Sequence, residues 1–312
     1  MAELQVTLDI MLPILLQLGL GWLLRRVGWM KTATAAELNK LIFQLFLPVL
    51  LFNNVRSLSL SSEPNWSFEL FLFAGVLVVF LVASWLVPRF EPSVRKRGAM
   101  VQGIFRTNFA ILGIPLMEAM FGAQGVTMVS LALPVVIPMN NILAVLALAA
   151  PHGQKADPAK LIRGVVTNPL IIACVLGAAC FLTGFTLPPM VDKLCTQIGS
   201  VATPLSLLVL GASLQWQGVK DNRRQLFWTV LLKQAVIPAV MVTIAILLGF
   251  RQEALGVILV LFGAPCAVSS YPMAAAMGSD GDLAASQVVL TTIFSMGTLF
   301  VLIYIGKLLG VL

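Results

Sequence analysis

The chain alternates between long unbroken apolar runs and short polar joints. Ten runs approach the roughly 20 residues that a helix needs to cross a bilayer, near 8–24, 37–55, 67–87, 98–121, 125–150, 160–184, 190–217, 225–249, 253–277 and 283–308. Within them hydrophobic residues are continuous rather than alternating, which disfavours a membrane β-barrel. The pattern predicts an all-α integral membrane protein of ten spans, with no joint long enough for a separate soluble domain.

Composition strengthens that reading. Of 312 residues, 59% are hydrophobic and 11% charged, against about 25% charged in an average soluble domain. Disorder is excluded on the same grounds. Four scattered cysteines (Cys174, Cys180, Cys195 and Cys266) have no metal-binding spacing and read as small reduced interior residues. The N-terminus, with Glu3 and Asp9 and no basic residue before the first run, does not look like a cleaved signal peptide.

A net charge of +7 raises the question of nucleic acid, but the basic residues sit in the joints between runs, as topology signals do. Joints 1–2, 3–4, 5–6, 7–8 and 9–10 hold thirteen of them, the opposite joints and ends hold four, and Lys40, Arg106 and Lys233 fall inside runs, which accounts for all 20. The positive-inside rule places the rich face in the cytoplasm and both termini outside the cytoplasmic membrane.

Ten spans also divide into halves. "IPLMEAMFGAQG" (114–125) in span 4 echoes "YPMAAAMGSDG" (271–281) in span 9, and Asn108 precedes Pro115 by the same seven residues that separate Pro265 from Pro272. Pro48 in span 2 and Pro204 in span 7 form a second matching pair. An offset of five spans inverts the second half relative to the first, so residues 1–150 and 151–312 read as inverted five-helix repeats with interrupted helices at equivalent places. Proline suits the first turn of a helix and disrupts its interior. The expectation is therefore an unwound Gly113–Ile114 and a new half-helix from Pro115, freeing the N–H groups of Leu116, Met117 and Glu118, and likewise of Met273 and Ala274 after Pro272. Two such N-termini near the midplane would form an anion site. Candidate polar groups around it are Asn108, Asn140, Asn141, Ser269, Ser270 and Tyr271.

"TNFAILGIPLMEAMFG" (107–122) resembles the fourth-helix motif of the auxin efflux carrier family, which includes bacterial members and the plant PIN carriers. "LNKLIFQLFLPVLLF" (38–52) and "APCAVSSYPMAAAMGSD" (264–280) resemble its second and ninth helices. The resemblance covers essentially the whole chain. It implies the fold shared with bile acid/sodium symporters, a homodimer with an elevator motion, a scaffold of helices 1, 2, 6 and 7, and a transport part of helices 3–5 and 8–10. It further implies that helices 4 and 9 cross at the substrate site. Asn108 would then be the crossover asparagine, Pro115 the crossover proline, Pro265 the ninth-helix proline, and Asn141 a fifth-helix site residue. Ser269 stands where many bacterial members have asparagine.

The function expected is a carrier of a small organic anion, a carboxylate, with no cofactor, metal or nucleic-acid partner. The alternatives are an anion channel, which would want a continuous polar pore, and an intramembrane enzyme. "GSDGD" (278–282) lacks the glycine that an aspartyl protease motif needs at Ser279, and His152 is the sole imidazole. Lys40 and Lys233 are expected to snorkel towards the cytoplasmic surface, and for Arg106 snorkelling and substrate attraction stand level. No acidic residue lies within 264–277, so uniport or proton coupling is expected ahead of sodium coupling, with Glu118 as the candidate proton carrier.

Overall fold

Side chains that cannot continue a helix mark the joints. Asn65, Asn168 and Asp280 each turn a side-chain oxygen onto a backbone N–H of the first turn that follows, those of Phe68, Leu170 and Leu283, satisfying donors that a helix start leaves open. The computed structural model describes residues 2–57, 65–149, 167–214 and 216–312. Among them the secondary structure is entirely helical. Lys155, Lys160, Arg163, His152 and the beginning of the 160–184 run lie outside the described residues.

The chain runs through α1 (Ala2–Arg26), α2 (Thr32–Leu41), α3 (Leu47–Arg56), α4 (Trp66–Phe90), α5 (Val94–Phe105) and α6 (Phe109–Ala149). It continues with α7 (Pro169–Thr183), α8 (Pro189–Ser213), a short α9 (Trp216–Asp221), α10 (Arg223–Leu231) and α11 (Ile237–Leu247). It ends with α12 (Gln252–Gly263), α13 (Ser270–Ala276) and α14 (Gly281–Leu308). Six continuous helical stretches among the described residues are long and apolar enough to cross a membrane: 32–56, 66–90, 111–149, 189–213, 223–247 and 281–308. The 41-residue α6 is folded at Gly122, whose φ of 59° and ψ of −141° leave the helical region and suit a residue without a Cβ.

Two π-turns, Ile42–Phe46 between α2 and α3 and Leu232–Val236 between α10 and α11, each precede a proline by two residues, Pro48 and Pro238. The cause is local. Proline offers no N–H to the carbonyl four residues back and its ring presses on it, so the helix widens for one turn. The carbonyl of Gln234, released by Pro238, accepts instead from Thr298 Oγ1 at 2.8 Å. Pro204, paired with Pro48 in the sequence comparison, lies in the unbroken α8 with no such turn.

Packing follows small residues. α1 lies along α8 with reciprocal glycines: a Cβ on Gly21 would fall on the carbonyl of Leu208, and one on Gly211 on the carbonyl of Leu18. α3 packs on α7 and α8, while α4 and α12 pack on α6, and α5 lies against α4 and α14. Gly211→Val should therefore force α1 and α8 apart. Overpacking of this kind costs about 1–3 kcal/mol, so a lowered melting temperature of the detergent-solubilised protein is expected. An unchanged one would contradict the close approach.

Joints on one face are tied together. Ser279 Oγ donates to Arg95 O at 2.7 Å and Gln225 Nε2 to Glu91 Oε2 at 2.6 Å. Elsewhere Arg56 pairs with Asp192 at 2.5 Å, and Asn53 Nδ2 donates to Cys195 O at 2.7 Å.

Candidate substrate site

α5 and α12 are each twelve residues long, and each ends in extended backbone, at 106–108 and 264–267 respectively. The two unwound segments meet. Asn108 N donates to Pro265 O at 2.8 Å, joining the two positions that the seven-residue spacing had matched. The break in the first helix thus comes before Asn108, not at Gly113–Ile114. Gly113 is packed against Phe109 and Val129, and Pro115 lies within the continuous helix that starts at Phe109.

The expected N–H groups are displaced accordingly. Helix α6 begins after Asn108, whose carbonyl accepts from Ile111 N and Leu112 N. The amides left without an intrahelical acceptor are those of Phe109 and Ala110, not those of Leu116, Met117 and Glu118. In α13 the Met273 amide is satisfied by Ser269 O at 3.2 Å. Because the unwinding does not depend on Pro115, Pro115→Ala should leave substrate affinity within about twofold of the parent, measured by ligand-induced thermal stabilisation. A tenfold loss would mean that proline holds the break.

A cavity of about 480 Å³ opens against the crossing, walled by α3 and α8 on one side and by α6 and residues 267–269 on the other. Asn108, Ile114, Asn140, Asn141 and Ser269 line it, as the sequence reading expected, and so do Arg106 and Thr107. Asn54, Ser57, Ser130, Thr203 and Ser206 also reach it and were not anticipated, since a lone serine or asparagine in an apolar run carries no periodic signal. The other candidates lie elsewhere. Gly113, Pro265 and Ser270 are buried outside the lining, and Pro115 and Glu118 sit on the exposed side of α6. Tyr271 borders two separate clefts lined by basic residues, beside Arg25, Ser213 and Asp282 in one and Arg95 and Lys96 in the other.

Arg106 dominates the electrostatics of the cavity. It caps α5 in extended conformation, its own N–H bound to Gln102 O at 3.0 Å, and its side chain is only 2% exposed. Nη2 donates to Asn141 Oδ1 at 2.9 Å, Nη1 approaches Met273 Sδ at 2.8 Å, and Asn141 is fixed in turn by donating to Ile137 O. With the Gln102 amide turned to satisfy both neighbours, its oxygen accepts from Arg106 Nη1 at 3.1 Å and its nitrogen donates to Ser270 O at 3.2 Å. Every partner is neutral. No Asp or Glu lines the cavity, and Glu91, the one carboxylate among the buried described residues, is bound to Ser93 N and Gln225.

Polar capacity is left over. Thr107 Oγ1 and Asn140 Oδ1 are buried beside the cavity without a hydrogen-bond partner. A guanidinium with neutral partners, the open Thr107 hydroxyl and the backbone amides that start α6 can all donate and together favour a negatively charged, oxygen-rich ligand, while Asn140 Oδ1 can accept from a hydroxyl or water beside it. The described residues hold no cluster of His, Cys, Asp and Glu that could bind a metal ion.

Comparison with known proteins gives a consistent picture. Residues 6–303 match the family model described as membrane transport protein. The chain is 24% identical over 307 residues to an uncharacterized transporter of Methanocaldococcus jannaschii, covering 93% of this chain and 96% of that protein. It is 22% identical over 294 residues to an uncharacterized transporter of Methanothermobacter thermautotrophicus, covering 93% and 95%. It is also 23% identical over 304 residues to a Rhizobium meliloti protein named "Putative malonate transporter", covering 95% and 94%.

Proposed function

Because the chain belongs to the membrane transport protein family of the auxin efflux carriers, we propose that it is a secondary carrier for a small organic anion, a carboxylate, bound at the crossing of the two broken helices. The observation that carries this reading is Arg106, a buried cation with neutral partners facing a cavity without acid. Isolated buried charge is costly. An incoming carboxylate supplies the missing counter-charge and accepts the spare donors. The Rhizobium relative's name points to the same chemical class.

Ten crossings in two inverted repeats, 1–150 and 151–312, are supported by the equal lengths of α5 and α12 and by the Asn108–Pro265 contact between matched positions. The heaviest packing of α1 is on α8 and that of α3 on α7 and α8, with lighter contacts from α1 to α6 and α14, which supports a scaffold and a transport part moving as an elevator. The basic asymmetry supports a cytoplasmic-membrane protein with both termini outside. On that orientation the cavity, which reaches Asn54 and Ser57 at the end of α3, faces outward.

A carrier rather than a channel is favoured because the cavity and the two clefts around Tyr271 share no lining residue. Tyr271, which borders both clefts, is buried, and nearby the buried Asn39 donates its amide to Pro272 O at 3.5 Å. In liposomes loaded with unlabelled malonate, external labelled malonate should accumulate transiently above equilibrium by counterflow. Simple dissipation without overshoot would sink the carrier reading.

A further inference from the structure

Lys233 stands second to Arg106 as a buried charge without a counter-ion. It occupies the π-turn in the middle of the 223–247 stretch and is 1% exposed. Its ammonium does not snorkel, as the sequence had suggested, whereas Lys40 is exposed. The turn packs against α5, α12 and α14. The acidic residues of those helices sit at their ends, Glu253 in the first turn of α12 and Asp282 in that of α14, and the bases Arg95, Lys96 and Arg97 lie in the first turn of α5. No ion pair joins Lys233 to a carboxylate among the described residues.

Lys233 is held against the helix that braces the cavity wall. Thr229, one turn earlier, accepts from Gln287 Nε2 at 3.1 Å and the next residue, Gln234, accepts through its carbonyl from Thr298 Oγ1 at 2.8 Å, and Thr291, between those two positions of α14, holds the amide of Cys266. Cys266 is buried directly behind the lining residues Ala267, Val268 and Ser269, with Sγ on Ser270 Oγ at 3.3 Å and its amide held by Thr291 Oγ1 at 3.0 Å. Lys233 thus lies behind the wall, on the far side of the α14 segment that holds Cys266, and Arg106 lies in the lining. A low-dielectric interior with no intervening acid transmits such a charge. At an effective dielectric of about 20, a unit charge about 10 Å away still contributes on the order of a factor of ten to an equilibrium constant.

We infer that Lys233 is the second positive charge of the anion site and, acting through the wall rather than by contact, selects doubly charged over singly charged anions. This rests on the anion-carrier reading. Each negative charge on the ligand feels the Lys233 field once, so a dianion gains from it about twice what a monoanion of the same shape gains. Lys233 is a positioning and selectivity residue, not a ligand of the substrate.

The test compares malonate with monomethyl malonate, similar in shape and differing by one charge, by binding to the purified protein at a pH where both of malonate's carboxyls are ionised. The parent should prefer malonate at least tenfold. Lys233→Met should contract that preference about tenfold, whereas Lys233→Arg should keep it. Equal weakening of both ligands in Lys233→Met, an unchanged ratio, or a parent without preference would each overturn the inference. The parent measurement decides even if Lys233→Met does not fold. If neither ligand binds the parent, or if Arg106→Met leaves binding intact, it is the anion-site reading that fails instead.

Discussion

Arg106→Met should lower anion uptake at least a hundredfold while leaving the protein as thermostable as the parent, or more so. The two halves have one physical origin. Removing a buried, hydrogen-bonded charge partner from a bound ion costs about 2–5 kcal/mol, and a hundredfold is about 2.7 kcal/mol. In the empty protein the same guanidinium is buried against neutral groups only, so its removal relieves a desolvation cost instead of creating one. Asn141 loses its donor from Arg106, but it keeps its own bond to Ile137 O. Uptake by proteoliposomes with a melting curve on the same preparation checks both halves. A variant that transports normally would mean that Arg106 serves the fold, and one that unfolds would mean that its neutral bonds outweigh its burial.

Asn108 should give the next largest effect, in two separable parts. Its side chain lines the cavity, and its N–H ties the two unwound segments at Pro265 O. Asn108→Ala removes the first and keeps the second, so at least a tenfold loss of substrate affinity is expected with stability little changed, about one net polar contact. Asn108→Pro removes the tie as well and leaves a buried carbonyl without its donor, a further cost of about 1–3 kcal/mol. It should therefore also lower the melting temperature. If both variants melt alike, the backbone contact does not hold the crossing together.

The all-helical membrane character and the existence of two interrupted helices were legible because bilayer length and composition constrain the chain strongly. The place of the first interruption was not read correctly, and the reason is visible in the residues. Gly113 and Pro115 look like breakers, yet a helix seven residues into its course tolerates a proline by forgoing one hydrogen bond. The signal that marks the break is Asn108 ahead of an apolar run, a residue type suited to the position before a helix start. Pro265, one residue past the cap of α12, marks the other interruption in the same way.

The charges were harder. Lys233 is eleven residues into its stretch, within a plausible reach of the surface on a regular helix, but the π-turn set by Pro238 widens the helix and rotates the side chain inward. Arg106 sits on extended backbone at the end of α5, so helical periodicity says nothing of where it points. Contributions from α3 and α8 to the cavity arise only when distant parts of the chain pack, and no local pattern encodes them.

The central claim is that a small anion sits between Arg106 and the start of α6, and the position of a heavy atom on that anion tests it most directly. Crystals of the protein grown with bromomalonate and measured at the bromine absorption edge should show one anomalous peak inside the cavity, beside Arg106, Thr107 and Asn108. In crystals of Arg106→Met that peak should be absent. A bromine peak at the clefts around Tyr271, or a cavity peak that persists in the variant, would contradict the account.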